Sequence, residues 1–158
     1  MRIKGLVDED FLQYKKPSMF VITSYCTFKC EKEANCPGMC QNSDLAKAQN
    51  IDVNNQYIVD RYLKAELTKA IVFGGLEPLD QFDELLDLIQ SIRAKTDDDI
   101  VIYTGYNKNE IENYLNYLIR YPNIIVKFGR YIPNMESHLD PVLGVYLASP
   151  NQYAEKIS

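Results

Sequence analysis

All four cysteines of the chain, Cys26, Cys30, Cys36 and Cys40, lie within 15 residues, in the stretch from Ser24 to Ser43 that reads SYCTFKCEKEANCPGMCQNS. Thiols used as core filler would be scattered; thiols gathered on one polar stretch point to a soft metal or an iron–sulfur cluster. Structural zinc takes two pairs of ligands, each pair a few residues apart, and Cys26/Cys30 with Cys36/Cys40 can form two such pairs. Disulfides belong to oxidising compartments. The N-terminus shows no signal-peptide pattern, so a cytoplasmic protein with reduced thiols is expected. A [4Fe–4S] cube normally takes four thiolates; held by three, it leaves one iron open to a substrate. On spacing alone the third such ligand is either Cys36 or Cys40.

The elements that must position these thiols follow from hydrophobic periodicity. Residues 2–8 alternate as a short strand, 8–16 read as a connection, and Pro17 precedes a buried strand over 18–24. The cysteine run, residues 25–43, is therefore a loop leaving a strand end, where sites on α/β sheets usually sit. Residues 45–50 suggest a helical turn. Asp52 to Asn55 is a helix-start signal, followed by the apolar face Ile58, Val59, Tyr62 and Leu63. A buried strand is expected over 69–73. It runs into Gly74-Gly75-Leu76-Glu77-Pro78-Leu79, where paired glycines permit positive φ or close backbone approach to a ligand.

The clearest helix covers 80–95, with Phe82, Leu85, Leu86, Leu88, Ile89 and Ile92 on its apolar face. Asp97 to Asp99 reads as a polar loop. A strand at 100–103 ends in Thr104-Gly105-Tyr106. A helix over 108–120 presents Ile111, Tyr114, Leu115, Leu118 and Ile119 to the core, and a fifth strand spans 124–128. Residues 132–143 read as an irregular, mobile loop that holds His138, the one histidine of the chain, as a solvated side chain. A last strand is expected at 144–148.

This alternation argues an α/β fold with a mostly parallel sheet and right-handed crossovers. A chain of 158 residues is too short for an eight-unit barrel, which needs roughly 200 or more; it can supply about half of one. Net charge is −5 with no basic block, which argues against a nucleic-acid partner. No apolar run suits a membrane span.

Cys26-x3-Cys30 followed by a further cysteine resembles the radical S-adenosylmethionine (SAM) family, whose common motif is C-x3-C-x2-C with an apolar residue before the third cysteine. Here the gap after Cys30 is longer. Met39 is apolar and precedes Cys40, whereas Asn35 precedes Cys36, and Cys40-Gln41-Asn42 resembles the Cys-x-Asn ending of the activating enzymes of anaerobic ribonucleotide reductase. The resemblance thus favours Cys26, Cys30 and Cys40 as ligands. Gly74-Gly75-Leu76-Glu77-Pro78 resembles the family's GGEP motif, with Leu76 as an extra residue. Thr104-Gly105-Tyr106 and Ser149-Pro150-Asn151-Gln152 resemble segments of the same activases. Phe128 stands where the family commonly has an acid before Gly129-Arg130-Tyr131.

The resemblance implies a partial (β/α) barrel: one radical SAM domain over residues 1–158, with a curved, mostly parallel sheet and helices on its outer face. It implies a [4Fe–4S] cluster and SAM as cofactors, with Met39, Gly74, Gly75, Glu77, Thr104 and Gly105 at the SAM site. Its chemistry would be reductive cleavage of SAM to methionine and a 5′-deoxyadenosyl radical. No catalytic acid or base is expected, since hydrogen-atom transfer needs none. A chain too small to enclose its substrate fits one delivered by a larger protein. The implied partner is an anaerobic ribonucleoside-triphosphate reductase, on which the chain would install a glycyl radical. A flavodoxin or ferredoxin would supply the electron. Two alternatives are a small radical SAM enzyme acting on a peptide or metabolite, and a zinc- or cluster-stabilised interaction module without enzymatic activity.

Overall fold

A computed structural model describes residues 1–158. Nine strands and five α-helices follow in the order β1 (Arg2–Asp10), β2 (Ser18–Thr23), α1 (Lys29–Ala34), α2 (Ser43–Lys47), β3 (Ile51–Asp52), α3 (Asn55–Lys64), β4 (Ala70–Gly75), α4 (Phe82–Arg93), β5 (Asp99–Tyr103), α5 (Glu112–Leu118), β6 (Ile124–Phe128), β7 (His138–Asp140), β8 (Val145–Leu147) and β9 (Tyr153–Lys156). Seven strands form one sheet in the order β3-β1-β2-β4-β5-β6-β9. The central four, β2, β4, β5 and β6, are parallel. β1, β3 and β9 add antiparallel strands at the two edges. The sheet is open, and no closed barrel forms.

The strand alternation decides what each face covers. Ile71 and Phe73 of β4, Ile100 and Ile102 of β5 and Val126 of β6 point to the helices, where they pack with Ile58, Leu85, Leu88, Ile89 and Leu118. The intervening residues Ala70, Val72, Val101 and Ile125 face the other way and meet Tyr14, Leu143 and Leu147. That second face is covered only in part, by the β1–β2 connection and the β7–β8 hairpin, and it stays open towards the C-terminal ends of the parallel strands. Burial of α3, α4 and α5 against one face makes the crossover arrangement, because each helix has a single apolar stripe to hide.

Several expectations are corrected. The first strand continues past residue 8 to Asp10. Leu63 and Ile119, expected in the core, are exposed; Ile119 already lies beyond the last turn of α5, and Leu63 sits on the flank of the stripe formed by Ile58, Val59 and Tyr62. The expected helix over 108–120 is a short 3-10 turn, Lys108–Glu110, followed by α5. Residues 132–143 are not wholly irregular: β7 pairs with β8 there. β9 follows the segment Ser149–Gln152 and pairs antiparallel with β6, so the sheet is mixed at its edges and not a simple parallel run. No helix is long and apolar enough to cross a membrane.

Candidate metal centre

Register brings the predicted motifs to one edge. Thr23 pairs with Gly75, Phe73 with Ile102 and Tyr103 with Lys127. The segments that leave β2, β4, β5 and β6 therefore emerge side by side, at the carboxyl ends where open α/β sheets place their ligands. They are stitched together by polar contacts. Glu77 N donates to Tyr25 O at 2.9 Å, Thr27 N to Asp80 Oδ2 at 2.7 Å and Ser24 N to Gln81 Oε1 at 2.8 Å. Tyr106 Oη donates to Asp80 Oδ1 at 2.6 Å. Asp80 and Gln81, expected only as the start of a helix, thus fix the entry to the cysteine loop.

Cys26, Cys30 and Cys40 line one open cavity of about 390 Å³ together with Gly75, Glu77, Thr104, Gly105 and Lys127. This volume falls within the roughly 300–1,000 Å³ usual for small-molecule sites. The three thiols are half-buried, whereas Cys36 is exposed and stands outside the cavity lining. Pairing of the Cys30 and Cys40 thiols pushes Cys30 up and Cys40 down. Burial pushes the Cys26 thiol up to about 11, against the pull of the Phe28 N–H. Phe28 N donates to Cys26 Sγ at 3.2 Å and Asn42 N to Cys40 Sγ at 3.4 Å, contacts of the kind that stabilise thiolates and tune clusters.

Of the residues predicted for SAM, Gly74, Gly75, Glu77, Thr104 and Gly105 converge on this edge. Met39 does not line the cavity; it is half-buried on the loop, its N–H donating to Cys36 O at 3.4 Å. Gly75 has φ 84°, and a Cβ there would stand 2.6 Å from Ile22 Cγ2, so both the backbone and the packing demand glycine. Its carbonyl accepts from Asn42 Nδ2 at 2.5 Å. Gly74 does not line the cavity either; it is buried beneath it, and a Cβ there would come within 3.2 Å of the Phe20 ring.

Glu77 is buried. Its two carboxylate oxygens accept from Leu79 N at 3.1 Å and Gly105 N at 2.8 Å, tying the turn after β4 to the turn after β5. Burial raises it to about 7, although these N–H groups and the Thr104 hydroxyl favour its charged form. Lys127 faces the same cavity, and burial lowers it to about 8 against the attraction of Glu77. Its ammonium donates to Gly129 O at 3.0 Å. Nothing in the sequence marked Lys127, since a lysine inside an apolar strand run reads as a break in the pattern.

Arg130 was also missed as a working residue. It donates to both carboxylate oxygens of Glu33 on α1 at 2.7 and 3.0 Å, to Glu110 at 2.8 Å and to Gly105 O at 2.6 Å. Lys29, on α1 beside Cys30, meets Glu110 at 2.5 Å. The guanidinium fork suits such multiple planar contacts. It clamps the helix that carries Cys30 onto the ends of β5 and β6. The motif Ser149-Pro150-Asn151-Gln152 braces the same place: Asn151 Nδ2 donates to Arg130 O at 2.9 Å and Gln152 Nε2 to Gly129 O at 3.3 Å. His138 stands away from the cavity lining. Asp98 and Asp99 serve as acceptors for the Tyr62 and Tyr14 hydroxyls.

Three half-buried thiols lining one cavity are a donor set that suits an iron–sulfur cluster. The thiols are soft ligands for iron. The fold and the thiols thus define an iron–sulfur protein of α/β architecture. Residues 17–145 match the family described as the 4Fe-4S single cluster domain, and the chain belongs to that family. No curated protein and no solved structure matches it.

Proposed function

We propose that the chain is a radical SAM protein, its sheet half of a (β/α) barrel, acting as one domain over residues 1–158. Cys26, Cys30 and Cys40 would hold the cluster at three corners, and the position without a protein ligand would accept SAM. The observation that carries this reading is the sorting of the cysteines: three line the cavity shared with Gly75, Glu77, Thr104 and Gly105, and the fourth is left outside. Four-cysteine closure, which the zinc reading needs, is not favoured by an exposed Cys36.

When bound, the cluster supplies one electron at low potential, which the resemblance assigns to breaking a C–S bond of SAM. The chain's own residues do the positioning, which is the protein's main contribution to such chemistry. Gly75 allows a ligand to approach the backbone after β4. Asn42 orients the Gly75 carbonyl next to Cys40, linking the cluster loop to the turn proposed to receive the methionyl amino group. Glu77 keeps the turns after β4 and β5 at fixed separation. Met39 and Gly74, which do not line the cavity, are the members of the proposed SAM set that geometry supports least.

The open cavity favours a substrate delivered from outside. The reading that fits is a glycyl-radical activase for an anaerobic ribonucleoside-triphosphate reductase, with a flavodoxin or ferredoxin as electron donor and a cytoplasmic setting. Anaerobic reconstitution followed by EPR of the reduced protein tests the SAM step: the signal should change on adding SAM. An unchanged signal removes the activase and the small-enzyme readings together. A SAM-dependent change without a glycyl radical on the reductase leaves the peptide or metabolite enzyme.

A further inference from the structure

The path from Cys30 to Cys40 is long for a pair of ligands to one cluster, and closing a loop costs entropy that something must offset. Apolar packing does not do it, because neither α1 nor α2 buries a residue. Polar ties do, and within the loop itself one side chain makes most of them. Glu31, next to Cys30, accepts from Gly38 N at 3.0 Å through Oε2 and from Cys40 N at 2.9 Å through Oε1. The Ser43 hydroxyl lies 3.0 Å from the same Oε1 and 2.9 Å from Cys40 O. The Glu31 main-chain carbonyl accepts from Cys36 N at 3.1 Å. The residue thus gathers donors from both the middle and the far end of the loop.

We propose that Glu31 is the positioning residue that folds the long loop back and delivers Cys40 to Cys30, while its main-chain tie to Cys36 leaves that thiol facing solvent. A carboxylate is suited to the task, since it accepts from two backbone N–H groups at once and charge-assisted bonds are the stronger ones. The proposal rests on Cys40 being the third ligand and does not depend on SAM chemistry.

The test uses the full chain, first without iron and under reductant. Dibromobimane, which bridges close thiol pairs, is reacted with the wild type and the variants, and the Cys30–Cys40 product is mapped by mass spectrometry. Glu31→Ala should slow formation of that product by roughly tenfold, the scale of losing charge-assisted hydrogen bonds. Glu31→Gln, which keeps one acceptor oxygen, should fall between. Iron bound after anaerobic reconstitution with iron and sulfide should follow the same order, with the unfolding midpoint of the sheet unchanged. Wild-type bridging and loading in Glu31→Ala overturns the proposal. If that variant does not fold, the Glu31→Gln protein decides: a wild-type rate overturns the proposal and a slowed rate upholds it. Cys40→Ala separates the two layers of inference. Full iron loading in Cys40→Ala overturns the ligand assignment itself. Lost loading there, with Glu31→Ala behaving as wild type, overturns only the role of Glu31.

Discussion

Two segments meet at the cavity, and they are held by opposite means. The turn after β4 runs through Leu76, Glu77, Pro78 and Leu79, all buried, and is fixed by the same burial that folds the sheet. The cysteine loop has no buried residue in either of its helices. It is held by carboxylate-to-backbone bonds and by the Arg130–Glu33–Glu110–Lys29 network. The difference teaches that one side of the site is fixed by core burial, while the other takes its order from polar ties.

Several experiments can break or sharpen this contrast. The largest effect is expected at the thiols. Cys30→Ala should reduce iron and sulfide per chain to background after anaerobic reconstitution, whereas Cys36→Ala should load as wild type. Equal losses in both would erase the distinction between cavity and exposed cysteines.

Two of the four positive-φ glycines, one in each segment, provide the next comparison. Gly75→Ala meets Ile22 at 2.6 Å in a φ 84° backbone and should cost about 3 kcal/mol in urea unfolding. Gly38, at φ 79° with nothing within 4 Å, should cost about 1 kcal/mol on the same change, from backbone strain alone. If the two cost the same, packing does not separate the segments.

Arg130→Ala should lower global stability by only about 1 kcal/mol, because its partners keep access to water. Amide exchange in residues 29–34 should nonetheless quicken clearly, while exchange in β4 stays as in the wild type. A uniform rise across the sheet would show that the clamp belongs to the core and not to the loop.

The smallest effect is acid dependence. Burial opposes the charge on Glu110, but hydrogen bonds from Arg130 and Lys29 outweigh it and bring the carboxyl down to about 2. A depressed folded value means stability present above the unfolded value of roughly 4.3 and lost as pH falls from there towards 2. Glu110→Gln should therefore flatten the fall of the melting temperature between about pH 4.3 and 2, the window these values set. An unchanged slope would place the acid sensitivity elsewhere.

The sequence by itself determined the strands and helices that bury one regular stripe. Ile71 and Phe73, Leu85 to Ile92, and Ile100 to Ile102 are all where periodicity placed them, because burial rewards local pattern directly. It also determined the clustering of the four thiols and the glycine pair after β4. It did not show β9, whose residues Tyr153–Lys156 alternate no more clearly than a loop and become a strand only because β6 offers an unpaired edge.

The resemblance favoured Cys26, Cys30 and Cys40, but only the tertiary structure placed those three thiols on one cavity. Spacing along the chain left Cys36 and Cys40 both open, and the choice came from how Glu31 folds the intervening loop. The same holds for Arg130, whose partners Glu33 and Glu110 lie far from it in sequence. Polar ties between distant residues carry no periodic signature, so they become legible only when the sheet brings its strand ends together.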